Sequence, residues 1–372
     1  MVLCKHAATH LTCCALAAIA VHCGATSLGS SPSIVQFYST SGAKQDSCWF
    51  KGRNTPPKRS FGTLIMSTSD DLQVIKHALR ATLEHSSAPA AVLVTIDFKN
   101  KSKSPEAEAA RIEWVSSHRT QLRAMADDLR EMCREKTDVM VAAINVRTSS
   151  EDSFRALFAA QPACEGFIVK DGAGACEPSR MWRNSVAYTW GLTTLRKCVK
   201  YGLHIDSDVR MKSHQSSAPR PTWVQLAMDA LEQRADALSI NPLQDRDRWG
   251  RAGHPYCVVS ASQDCTCQQT RMDNRSWRFM SMGVYAPKVL TVQGVSSCAF
   301  YLQATRSFPA YNHASLQAFL MDLDRWDALL PLRLDRPVHH IEKLIEQAAQ
   351  RVGRFHMMFM RPVDLGVAKI IS

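Results

Sequence analysis

Residues 179–211 read SRMWRNSVAYTWGLTTLRKCVKYGLHIDSDVRM. The stretch from about Ser179 to Val199 contains no proline and predicts a helix. Tyr201 to Ile205 (YGLHI) then forms a short, mainly apolar run, the pattern of a strand buried on both faces. It stops at Asp206-Ser207-Asp208, two carboxylates delivered just past the strand. A helix leading into a buried strand that ends on acids is the repeating unit of an α/β sheet, whose ligand crevice lies at the carboxyl ends of its strands.

The unit recurs upstream. Leu72, Ile75, Leu79 and Leu83 repeat at helical spacing, with Ser67 or Ser69 as a cap. AAVLVTIDF (90–98) predicts a buried strand ending at Asp97. Ser104-Pro105-Glu106 opens a helix whose apolar side includes Ile112, Val115, Leu122, Met125, Leu129 and Met132. DVMVAAINV (138–146) is a second buried strand, passing through Asn145, and residues 153–160 read as helical. GFIVKD (166–171) is a shorter third strand, ending at Asp171. Each of these four strands therefore delivers a polar or acidic residue at its carboxyl end.

Two other D-x-D triplets occur. Asp245 and Asp247 lie among Arg246 and Arg248 in a polar loop. Asp322 and Asp324 fall in LQAFLMDLDRW (316–326), which reads as a helix. Downstream, residues 223–234 read as a helix, ALSINP (237–242) as a strand, and residues 279–286 and 289–295 as further strands.

Composition sets the outer limits. With 45% hydrophobic and 21% charged residues among 372, the chain is neither disordered nor collagen-like. The net charge of +11 suggests a polyanion partner until it is divided: residues 1–69 hold six Lys or Arg against the single acid Asp46. The remaining positive charge is dispersed, and no recognition module for nucleic acid is visible. Residues 11–21 (LTCCALAAIAV) follow Lys5 and precede small residues, as in a secretory signal or a short Golgi-type anchor. Residues 28–69, rich in Ser, Thr and basic residues, resemble a transit segment. Residues 1–69 are thus expected to be a disordered targeting tail, for the secretory pathway or a plastid, with membrane association through its apolar run. Of the 13 cysteines, Cys257, Cys265 and Cys267 come closest to a cluster, but they lack the paired hooks of a structural zinc site.

The 179–211 stretch resembles the core of GT-A-fold glycosyltransferases, in which an Arg-Asn pair opens a helix, a strand follows, and D-x-D closes it. The resemblance covers about residues 88–245. It implies a GT-A-like, mixed but mostly parallel sheet with helices on both faces, a nucleotide-sugar half over 70–245 and an acceptor half over 246–372. It also implies a nucleotide-sugar donor, a glycan, lipid or protein hydroxyl acceptor, and Mn²⁺ or Mg²⁺. By the same resemblance Asp206 faces the donor ribose or the metal, and Asp208 holds the metal on the diphosphate. Asp97, Asn145 and Asp171 line the nucleoside pocket, and Arg180, Arg183 and Asn184 stand near the donor. His339 or His340, just after Pro337, completes the metal site, and Asp322 or Asp324 is the acceptor base. Competing expectations are a nucleotidyltransferase, which FKNKSKSPE after Asp97 disfavours for want of glycine, and a non-catalytic α/β binding protein of an organelle.

Overall fold

The computed structural model describes residues 34–39, 48–51, 57–97, 105–134, 137–144, 158–160, 169–170, 176–177, 180–206, 210–213, 221–242, 257–259, 267–269, 284–292, 294–303, 318–334, 341–360, 365 and 367–371. Among them, ten strands form one sheet. They are β1 (Ile34–Ser39), β2 (Phe61–Thr68), β3 (Ala91–Asp97), β4 (Asp138–Ile144), β5 (Tyr201–Ile205), β6 (Ala237–Pro242), β7 (Val284–Val292), β8 (Val295–Gln303), β9 (Ala318–Asp322) and β10 (His356–Met360). The helices are α1 (Cys48–Lys51), α2 (Gln73–His85), α3 (Pro105–Ser117), α4 (Arg119–Met132), α5 (Arg180–Leu195), α6 (Trp223–Gln233), α7 (Leu323–Asp327) and α8 (Ile341–Val352).

Across the sheet the order is β1-β4-β3-β2-β5-β9-β6-β10-β8-β7. The four strands β4, β3, β2 and β5 are parallel, and β6 is parallel to β10. β9 lies between β5 and β6 and is antiparallel to both, while β1, β8 and β7 add antiparallel pairings towards the edges. The chain is α/β, with a mixed and mostly parallel sheet.

Strand alternation sorts the core onto two faces. Leu64, Leu93 and Met140 point one way and pack with Leu192 and Leu195 of α5 and Leu344 and Ile345 of α8. Ile65, Val94 and Val141 point the other way, against Ile75 and Leu79 of α2 and Leu122 and Leu129 of α4. On that second face, Leu203 and Ile205 of β5 and Ile240 of β6 meet Val224, Ala227 and Leu231 of α6. Being covered on both sides is why these strands read as continuous apolar runs. Helix α6 starts on a capping box: Thr222 Oγ1 accepts from the Gln225 backbone N–H, and Gln225 Oε1 accepts from that of Thr222.

Close approach of α5 depends on a pair of glycines. Gly62 of β2 and Gly202 of β5 are register partners. A Cβ on Gly62 would lie 2.7 Å from Leu195 Cδ1 and 3.0 Å from the carbonyl oxygen of Ala91; one on Gly202 would lie 2.9 Å from Leu323 Cδ2. Such distances are shorter than ordinary van der Waals contact, so a side chain at either position has to push its neighbours apart.

Several expectations need correction. The tail does not extend to residue 69: Phe61–Thr68 is the strand between β3 and β5, with Leu64 and Thr63 buried. Its Gly, Thr and Ser residues disguise it as linker, although Thr63 sits fully inside. Further upstream, Cys48 and Trp49 are buried, and Cys48 forms a disulfide with Cys198, the Cα atoms 5.0 Å apart. The bridge fastens α1 to the turn that joins α5 to β5. Helix α2 has Leu72 at its N-cap with no side-chain cap, because Ser67 Oγ instead donates to the Asp71 carbonyl, 2.6 Å away.

The helix expected over 316–326 is not a single helix in its described part, 318–326. Ala318–Asp322 is β9, and only Leu323–Asp327 is helical. A short apolar run such as AFLM fits either period, and pairing with β5 and β6 decides it. Of the expected third strand, Val169–Lys170 pairs with Cys176–Glu177 in a separate ribbon and not with the sheet. Phe158–Ala160, at the end of an expected helix, is a strand paired with Leu332–Leu334. Of the two strands expected over 279–286 and 289–295, the described part Val284–Val292 is a single strand, β7, followed after Gly294 (φ +76°) by β8, which runs on to Gln303. Cys257–Val259 and Cys267–Gln269 form a small antiparallel ribbon.

Candidate functional site

From β2 the chain steps to one side through β3 to β4, and then returns to place β5 on the other side of β2. The carboxyl ends of β2 and β5 therefore flank the point where the strand order reverses, and it is at such switch points that open α/β sheets bind ligands. Thr68 at the end of β2 pairs with Asp97 at the end of β3, which pairs in turn with Ile144 at the end of β4. Asp206 follows β5 at the same edge. After Thr68 the chain turns through the exposed acids Asp70 and Asp71, held by the Asp71 N–H donating to the Thr68 carbonyl at 3.1 Å.

Asp206 has a built partner. His204 lies two residues earlier, so strand alternation puts both on the face of α5. The His204 side chain is 2% exposed. Its Nδ1 is 2.8 Å from the Leu64 carbonyl of β2, and its Nε2 is 2.7 Å from Asp206 Oδ1. A carbonyl only accepts, so Nδ1 carries a hydrogen. Tyr188 meets the ring edge-on at a centroid distance of 4.9 Å, and Phe319 of β9 lies 5.6 Å away. Asp206 itself keeps 37% side-chain exposure, so part of the carboxylate faces outward.

Helix α5 runs towards this edge as it is followed backwards. Leu195 lies against Gly62 at the start of β2, Gly191 against Leu64, and Tyr188 against His204. Another turn, about 6 Å at 1.5 Å per residue, brings the backbone to Arg183 and Asn184, and Arg180 begins the helix beyond. The N-terminal end of α5, carrying the positive end of its dipole, is thus at the edge that holds Asp206. Helix α8 behaves alike. It ends close to the start of β10, with the Gly353 N–H donating to the Ala349 carbonyl at 2.9 Å, so its beginning at Ile341 lies towards the carboxyl edge.

The strands thus bring Asp97 and Asp206 to one edge, and the backbone of Arg183 and Asn184 to the same end. Asn145, Asp171, Asp208, His339 and His340 lie outside the described residues. Among the described residues, no group of three His, Cys, Asp or Glu side chains gathers in a way that could hold a metal ion. Asp206 nevertheless suits a hard cation or a ribose hydroxyl, because His204 engages one oxygen and the carboxylate is partly exposed.

Asp322 and Asp324 are not at this edge. Asp322 is at the end of a strand antiparallel to β5 and pairs with Tyr201, where β5 begins. It is 2% exposed, and its Oδ1 accepts from the backbone N–H groups of Asp324 and Arg325 at 3.0 and 3.1 Å. Arg325 Nε stands 3.5 Å from Asp322 Oδ2, and its other nitrogens donate to the carbonyls of Leu231, Arg234 and Ala237. This assembly caps α7 and satisfies the last carbonyls of α6. Asp324 is largely exposed and receives a hydrogen bond from Arg196 Nε at 3.3 Å. Neither acid reaches the carboxyl edge that holds Asp206.

Reading the sequence for acids missed His204, whose position two before Asp206 on a strand already puts the two on one face. It also missed Asp70 and Asp71, because the strand before them was taken for tail. No helix among the described residues is long and apolar enough to cross a membrane. Compared with known proteins, the chain matches no family model and no curated sequence.

Proposed function

We propose that this chain is a metal-dependent glycosyltransferase of GT-A-like fold, moving a sugar from a nucleotide diphosphate sugar to a hydroxyl acceptor on a glycan, lipid or protein. The observation that carries the reading is a strongly held carboxylate, Asp206, at the switch point of the sheet, with the N-terminal end of α5 on the same side. Asp206 and Asp208 would hold Mn²⁺ or Mg²⁺ against the diphosphate, with His339 or His340 as a further ligand. Bound there, the cation supplies neutralising charge for the diphosphate leaving group. Asp97, Asn145 and Asp171 are assigned to the nucleoside, and Arg180, Arg183 and Asn184 to the phosphates and donor sugar.

Asp206, with one oxygen engaged, is suited to accept a ribose hydroxyl or to face the cation through its other oxygen. The first turn of α5 adds backbone N–H groups and a favourable dipole for an anion. The acceptor base is left unassigned, since Asp322 and Asp324 belong to the opposite edge. The Cys48–Cys198 bridge favours the secretory route over the plastid one, because disulfides persist in oxidising compartments.

The test is a sugar-nucleotide hydrolysis screen on the full chain, with Mn²⁺ or with EDTA, comparing the wild type with Asp208→Ala. Release of nucleoside diphosphate is expected to require the metal and to vanish in the variant. Turnover that survives both chelation and the substitution rules the reading out.

A further inference from the structure

We infer that His204 is a positioning residue: it fixes the Asp206 carboxylate by holding Oδ1, so that Oδ2 is the oxygen offered to the ligand. The inference rests on the reading of Asp206 as a diphosphate-site residue.

A carboxylate at the end of a strand is free to turn about two torsions, and a ligand then has to bear the cost of ordering it. Here the ordering is built in. The ring of His204 is tethered at both nitrogens, to Leu64 on the neighbouring strand and to Asp206 beyond its own. Tyr188 from α5 and Phe319 from β9 stand against it, so the ring has no room to swing away from the carboxylate. Leu64 and Phe319 are both fully buried, which anchors this frame in the core rather than in a loop. The relay therefore runs from the centre of the sheet to the crevice: a β2 carbonyl orients an imidazole, and the imidazole orients an acid.

The arrangement has a chemical consequence. Leu64 can only accept, so Nδ1 donates to it. An ionised Asp206 likewise only accepts, so the hydrogen bond at Nε2 either comes from the ring or is returned by a protonated carboxyl. In either case Oδ1 is spent on the histidine. Asp206 thereby keeps Oδ2 wholly free for the ligand while Oδ1 has one lone pair engaged, which favours contact through Oδ2. Outer partners of this kind are worth about 10- to 100-fold in metal affinity or activity.

A histidine that only fills the core makes a different forecast, and two substitutions separate them. In His204→Asn the amide sits where Nδ1 was and can keep the tether to Leu64, but it does not reach Asp206. In His204→Gln the amide reaches the place of Nε2 and can donate to Asp206. Mn²⁺ uptake is measured on the full chain from the loss of the free-ion EPR signal, in the presence of UDP or of GDP, with thermal unfolding followed on the same samples. Positioning predicts that His204→Asn loses affinity by about 10- to 100-fold and that His204→Gln recovers most of it, irrespective of which variant melts lower. Wild-type affinity in His204→Asn, or equal losses in both variants, overturns the inference while leaving the site standing.

A second measurement needs no stable variant. In wild-type protein labelled with ¹⁵N-histidine, the Nε2 resonance of His204 is expected to shift when Mg²⁺ and the same nucleotide are added. An unmoved resonance in protein that has bound them contradicts positioning. Wild-type protein that takes up no Mn²⁺ with either nucleotide removes the diphosphate-site reading, and the inference with it.

Discussion

Asp322 stands directly across from Tyr201 in the β5–β9 pairing, while Ala318 stands across from Ile205, next to Asp206. Four residues of strand separate the two positions, about 13 Å at roughly 3.3 Å per residue. The direction of a single strand thus divides the acids into two groups with different work. At the carboxyl edge, Asp206 is partly exposed and held by His204; at the amino edge, Asp322 is buried and consumed by caps.

Replacing Asp322 by Ala is therefore expected to damage stability and spare ligand binding. The substitution removes the cap of α7 and leaves Arg325, only 16% exposed, without its carboxylate. Breaking one side of a buried pair costs about 3–5 kcal/mol. Chemical unfolding measures the loss, and nucleotide affinity of the folded fraction is expected to be unchanged. A variant of normal stability that has lost nucleotide binding would return Asp322 to the site.

The Cys48–Cys198 bridge closes a long loop, its ends 150 positions apart in sequence. Cys198→Ala, or reduction of the wild type, is expected to lower stability by about 2–4 kcal/mol. Peptide mapping without reduction checks the pairing itself. Recovery of both cysteines as alkylated free thiols from native protein would refute it.

Burial holds the Tyr201 phenol well above its usual range, with Glu232 and Asp322 adding to the effect. The unfolded chain gives up this proton near pH 10, the folded protein only higher. The resulting stability is complete below about pH 10 and is lost as pH rises beyond it. Tyr201→Phe is expected to flatten that loss, seen in urea unfolding at successive alkaline pH values. The Tyr201 hydroxyl has no hydrogen-bond partner among the described residues, so at neutral pH the same substitution is expected to cost little. An unchanged alkaline slope would show that Tyr201 is not the group responsible.

The parallel centre of the fold was legible because burial on both faces leaves its mark on each strand separately. Ala91–Asp97, Asp138–Ile144 and Tyr201–Ile205 are all runs of this kind, and each is a strand of the sheet. Phe61–Thr68 was hidden by its small and hydroxylated residues, of which Gly62 makes room for α5. Losing that strand displaced the switch point and with it Asp70 and Asp71. Ala318–Asp322 was hidden for another reason: its direction is set by partners distant in sequence, β5 and β6, and no local period records it. Asp206 was found from its place at the end of a strand. Its partner His204 was passed over because a histidine within an apolar run reads as filling, until its two hydrogen bonds are seen together.

The most direct test of the site is calorimetric titration of UDP, GDP, CDP and ADP into the full chain, with Mn²⁺ and with EDTA. At least one of the four is expected to bind in Mn²⁺, to bind about tenfold or more weakly in EDTA, and to be lost in Asp208→Ala. Equal binding with and without the metal, or undiminished binding by the variant, would mean that the carboxyl edge of β5 does not hold a metal–diphosphate.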